Sequence, residues 1–130
     1  MRTIRQTATF KATPQDVYDA LMDSAKHAAF SGSAAAIGPG VGDAFSAHDG
    51  YITGAHLALI PGKKIVQAWH ADDDGWAGGH HSTVTFELAP VKGGTRLTLT
   101  QTDVPEESAD SIASGWRTFY WDAMRAAFGW

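Results

Sequence analysis

The chain has 130 residues, 44% hydrophobic and 18% charged, the length and composition of one globular domain, which excludes a disordered chain. A formal net charge of -4 gives no footprint for nucleic acid or anionic lipid, and the absence of cysteine excludes disulfides, thiolate metal ligation and a thiol nucleophile. The opening MRTIRQTATFK contains no apolar run and nothing later approaches the ~20 apolar residues of a membrane span, so no leader, no membrane partner and a cytoplasmic location are expected.

Residues 3–10 alternate, with Ile4, Gln6, Ala8 and Phe10 on one side, which predicts a half-buried strand. Thr13-Pro14-Gln15-Asp16 then carries a cap, a proline suited to the first helical position and an acid on the positive end of the helix dipole. Val17, Tyr18, Leu21 and Met22 give this short helix its apolar stripe, and Asp23-Ser24 restarts the chain into a second one ending near Gly32. A short strand and a turn at Gly38-Pro39-Gly40 follow.

From Asp43 onward the pattern is strand after strand: Phe45 to His48, Tyr51 to Ile60, Ile65 to His70, and a run in which Ser82, Val84, Phe86 and Leu88 alternate with polar residues. Gly93-Gly94 makes a hairpin turn into a last strand through Leu97 and Leu99. Pro105-Glu106-Glu107 opens a helix of roughly 24 residues. On an α-helical wheel Ile112, Trp116, Phe119, Tyr120, Ala123, Met124 and Ala127 share one face. The expected fold is α+β: a curved antiparallel sheet, two short helices and one long C-terminal helix, all in a single domain over residues 1–130. A sheet gripping an aromatic helix leaves a cleft, a common ligand site.

Three stretches carry a family resemblance. They are Ala12-Thr13-Pro14-Gln15-Asp16-Val17-Tyr18 with its continuation to Ser24; Asp49-Gly50-Tyr51-Ile52-Thr53-Gly54 with Leu59-Ile60-Pro61-Gly62 and the run to Trp69; and Val104-Pro105-Glu106-Glu107 with Gly115-Trp116, Tyr120-Trp121 and Phe128-Gly129. Together they resemble the activator of Hsp90 ATPase homologue group of the START-like (Bet v 1-like, SRPBCC) helix-grip superfamily. The resemblance implies a helix-grip fold, and an Hsp90 homologue as a partner whose ATPase the chain would stimulate. Where that group commonly has arginine after the tryptophan of the third central strand, this chain has His70.

Polar residues fall in register with the inward faces of the strands: Gln6, His80, Ser82 and Gln101. Burying such groups unpaired costs about 1–3 kcal/mol each. They therefore either line a wet cavity or pair with one another and with solvent. The first option gives a binding module for a small apolar or amphipathic molecule, held by Trp69, His80, Ser82, Gln101, Trp116, Phe119 and Tyr120. A cyclase- or hydrolase-like enzyme using His70 or His80 is a further alternative, with no partner group fixed by spacing. No catalytic residue, metal ligand or cofactor is assigned: adjacent His80 and His81 on a strand point to opposite faces, and no HxH or HExxH spacing exists. Trp76, in the loop from Ala71 to Gly79, either folds over the cleft mouth or packs on the sheet. Trp121 and Phe128, off the main helix stripe near Arg117 and Arg125, are expected to form an exposed patch suited to a homodimer.

Overall fold

A computed structural model describes residues 1–130. Seven strands form one antiparallel sheet: β1 (Arg2–Phe10), β2 (Ala36–Ile37), β3 (Ala44–Ala47), β4 (Ile52–Ile60), β5 (Lys64–Ala71), β6 (Ser82–Val91) and β7 (Gly94–Val104). Their spatial order is β1-β7-β6-β5-β4-β3-β2. Only β1 is out of sequence order: it pairs with β7, Ala8 opposite Leu97 and Gln6 opposite Leu99, so the first strand becomes the edge beside the last.

Between β1 and β2 stand α1 (Pro14–Met22) and α2 (Ser24–Ser31). Both start as their sequences dictate. Thr13 Oγ1 accepts from the Asp16 amide at 3.1 Å, and Asp23 Oδ1 accepts from the Lys26 amide at 2.9 Å, each satisfying a first-turn donor that a helix leaves orphaned. Gly32, at φ 72°, ends α2 in the left-handed conformation.

The C-terminal helical segment is continuous from Glu106 to Phe128 but changes its winding. A 3-10 turn (Glu106–Ser108) leads into α3 (Ala109–Gly115), then a π-helical stretch (Trp116–Trp121), then α4 (Asp122–Phe128). The π stretch corrects the helical wheel. Bonds closing five residues apart set Trp116 and Trp121 over one another, and their rings stack at 5.7 Å and 15°. Trp121 is thereby drawn inward to 3% exposure, while Phe119 is turned out to 55%. The expected exposed Trp121–Phe128 patch does not exist: Trp121 Nε1 donates to Gln6 Oε1 at 2.8 Å, and half-buried Phe128 packs against Phe30 and Trp130.

The core is the space between sheet and helix, where Val84, Phe86, Leu97 and Leu99 meet Ile112, Trp116, Tyr120 and Met124. The loop after β5 is anchored by Trp76, whose indole packs on Trp69 at 5.6 Å and donates to Ser108 Oγ at 2.8 Å. Trp76 therefore pegs the loop to the start of the terminal helix. No helix is long and apolar enough to cross a membrane.

Candidate functional site

Sheet and helix do not close fully on each other. Between them lies a half-open cleft of about 320 Å³, at the lower end of the range for small-molecule sites. Its sheet wall is Ile52 at the start of β4 and Trp69 in β5; its helix wall runs from Ser111 and Ile112 through Gly115 and Trp116 to Phe119 and Tyr120. His48 and Tyr51, from the β3–β4 turn, close one end.

That turn is strained. Gly50 N donates to the Ala47 carbonyl at 3.2 Å, and the two residues between, His48 and Asp49, have φ of 51° and 58°. The left-handed region is unfavourable for most side chains other than glycine, and histidine and aspartate are among the few that enter it. The conformation carries the His48 ring to the cleft, 5.4 Å from Tyr120, 6.1 Å from Phe119 and 5.9 Å from His27. Burial lowers the His48 pKa, against a smaller opposing pull from Asp49, so the ring is neutral at neutral pH.

The remaining polar groups at the cleft are mostly committed within the protein. Tyr51 Oη donates to Asp73 Oδ2 at 3.0 Å; burial, then the Asp73 bond, push its pKa up to about 12. The Tyr120 hydroxyl shares a 3.1 Å hydrogen bond with His27 Nε2, and burial raises its pKa also. No Lys or Arg lines the cleft.

Of the residues singled out from sequence, Trp69, Trp116, Phe119 and Tyr120 come together at this cleft; His80, Ser82 and Gln101 do not. Ser82 and Gln101 do face inward, but their polar atoms are committed within the protein, Gln101 to the helix and Ser82 to the sheet. Gln101 Oε1 accepts from Trp116 Nε1 at 2.8 Å, Gln101 Nε2 donates to Ser82 Oγ at 3.0 Å, and Ser82 Oγ donates to the Trp69 carbonyl at 3.2 Å. Gln6 does the same for Trp121 and also donates to the Ala113 carbonyl at 2.8 Å. Gln6 and Gln101 of the sheet are thus bonded across the layers to the indoles and backbone of the helix.

His80 and His81 precede β6, which starts at Ser82, so the inward alternation does not reach them. His80 Nε2 donates to the Asp103 carbonyl at 2.8 Å, and His70 Nδ1 donates to the His80 carbonyl at 2.7 Å. Neither ring lies at the cleft, where proton transfer to a bound ligand would need it. His56 is a fixture of the sheet: it donates to the Gly38 carbonyl at 2.9 Å and accepts from Gln67 Nε2 at 3.5 Å. No three His, Asp or Glu side chains converge as a metal site would require.

Sequence reasoning missed His48, Tyr51, Ile52, Ser111, Ile112 and Gly115 as cleft residues. Ile112 lies one helical turn before Trp116 and was legible from spacing. Gly115 was the stronger signal, a lone glycine inside a helical pattern. His48 had none, because its role depends on the turn conformation.

The sequence profile of a family described as Activator of Hsp90 ATPase homolog 1-like protein matches residues 11–129. Among characterised sequences, an activator of 90 kDa heat shock protein ATPase homolog from Dictyostelium discoideum is 30% identical over 130 residues, covering 99% of this chain and 33% of that protein. The homolog 1 protein of Homo sapiens is 26% identical over 122 residues, covering 94% of this chain and 36% of that one. The chain thus spans about a third of the length of these relatives. Among solved structures, an HSP90 activator from Plasmodium falciparum superposes with a TM-score of 0.92 at 25% identity, covering 99% of this chain and 97% of that one. An Aha1 dimer from Colwellia psychrerythraea, 21% identical, shares the fold at a TM-score of 0.79, covering 98% and 96% of the two chains.

Proposed function

The chain belongs to the Activator of Hsp90 ATPase homolog 1-like family, and from that premise we propose that it is a binding module whose cleft holds a small, largely apolar molecule between helix and sheet. The carrying observation is Gly115. Its backbone, at φ -60° and ψ -39°, is ordinary right-handed helix, which any residue adopts. A Cβ there would meet only Phe119 Cδ2, at 3.7 Å, an ordinary van der Waals contact. Glycine inside a helix costs about 0.5–1 kcal/mol relative to alanine, and neither backbone geometry nor packing calls for it here. A side chain at Gly115 would instead take space from the cleft. Glycine keeps that space open.

Two substitutions test this, with the uncharged dye N-phenylnaphthylamine as probe and its fluorescence as readout. Gly115→Leu is expected to leave the protein at least as stable as the wild type in urea unfolding and to weaken dye binding by about tenfold or more. Phe119→Ala removes an exposed ring, so stability should change by about 0.5 kcal/mol or less while affinity falls about fivefold or more. Binding unchanged in both variants would dismiss the cleft as the site.

A second reading, action on an Hsp90 homologue, is favoured by the near-complete superposition on the P. falciparum activator. Its check is the ATPase rate of the Hsp90 homologue from the same organism with and without the purified chain. An unchanged rate at saturating chain would remove it.

A further inference from the structure

The tryptophans are treated unequally. Trp76 donates to Ser108, Trp116 to Gln101 and Trp121 to Gln6, each at 2.8 Å. Two of those acceptors are polar residues placed on otherwise apolar strand faces. A buried indole N–H normally has such a partner, since leaving it without one costs about 1–3 kcal/mol. Trp69 is 4% exposed, as buried as these three, and has no acceptor inside the protein. Its Nε1 is nevertheless not sealed off: the buried side-chain polar atom lacking both partner and solvent is His27 Nδ1. The opening next to Trp69 is the cleft.

Three other cleft donors are used elsewhere, Tyr51 Oη on Asp73, the Tyr120 hydroxyl with His27 and Trp116 Nε1 on Gln101, which leaves the His48 ring and the Ser111 hydroxyl as the competitors of Trp69. Ser111 sits on the exposed rim, and the neutral His48 ring closes the end. No cation faces the space, and the Asp73 carboxylate stands just behind Tyr51, so an anionic ligand would be buried without a counter-charge.

Resting on the cleft reading above, we propose that the ligand is an uncharged molecule with an apolar, ring-sized body and one carbonyl- or ether-type oxygen, and that Trp69 Nε1–H donates to that oxygen. Trp69 then sets which apolar molecules are held, the rest of the wall supplying only contact area.

A matched pair of probes tests this: methyl naphthyl ketone and isopropylnaphthalene, nearly the same shape with and without the oxygen, each competed against N-phenylnaphthylamine. The ketone is expected to bind about fivefold or more tighter than the hydrocarbon, the worth of one net hydrogen bond. Trp69→Phe, which keeps an aromatic face and loses the N–H, should bring the two affinities together while leaving the hydrocarbon's nearly unchanged. Should that variant fail to fold, the nitrogen–proton spectrum of the wild type decides: the Trp69 indole signal must move downfield with the ketone and not with the hydrocarbon. Equal affinities, a stationary Trp69 signal, or a preference abolished by His48→Phe instead, would overturn the assignment and leave the cleft standing. If neither probe binds the wild type, the cleft reading itself falls.

Discussion

Replacing Gln101 by alanine is expected to lower the free energy of unfolding by about 3–5 kcal/mol, the sum of an orphaned buried donor and a cavity left by truncation. Gln101 is fully buried in β7 and links the Trp116 indole, at 2.8 Å, to the Ser82 hydroxyl, at 3.0 Å. Alanine strands the Trp116 N–H and leaves the Ser82 hydroxyl only its bond to the Trp69 carbonyl, both at buried positions. Removing the polar end on each side is predicted to be milder: Gln101→Leu combined with Trp116→Phe should cost clearly less than the sum of the two single changes, because no unsatisfied group then remains. Denaturant unfolding of the four proteins completes the cycle. A loss below about 1 kcal/mol for Gln101→Ala would mean that the glutamine does not hold the helix to the sheet, and would return it to consideration as a ligand-orienting group.

Acid should destabilise the protein through His27. This ring is 4% exposed, packs 4.7 Å from Phe30 and 5.3 Å from Tyr120, and shares its Nε2 with the Tyr120 hydroxyl. Burial, and secondarily the nearby His48, lower its pKa from 6.5 to about 4. The sign follows from which state takes the proton. Between pH 6.5 and about 4 the unfolded chain protonates this histidine and the folded chain does not, so the proton favours unfolding. The contribution is complete above about pH 7, diminishes as pH falls toward 4, and amounts to about 3 kcal/mol over the whole interval. His48 and His56, also lowered by burial, act in the same direction. Urea unfolding at a series of pH values measures the slope. His27→Gln keeps a hydrogen-bonding partner for Tyr120 and carries no titration, so its slope should be smaller than the wild type's without vanishing. Identical slopes would show that His27 titrates normally in the folded protein.

The cleft itself was half legible. Trp69 and Trp116 announced themselves as large aromatics on facing elements, and Tyr120 by its helical spacing from Trp116. Phe119 was assigned to the inner face on an α-helical wheel; the π stretch turns it outward, where it forms a rim instead of a floor. The same change of winding took Trp121 from an anticipated contact patch into the interior. His80 was misread by extending the strand alternation two residues beyond the actual start of β6 at Ser82. Ser82 and Gln101 were correctly read as inward-facing, yet facing inward did not mean facing a ligand.

By itself the sequence determined the order of the elements, the caps of α1 and α2, the antiparallel sheet and the terminal helix, and it carried enough family resemblance to name the fold. These follow from local physics: side-chain period, turn residues, and the orphan donors at a helix start. Only the tertiary structure decided the helix winding at Trp116–Trp121, the partner of each indole and the room left at Gly115. Those depend on which atoms of the sheet lie opposite which atoms of the helix across the core, as with Gln6 and Trp121, a relation that no window along the chain contains.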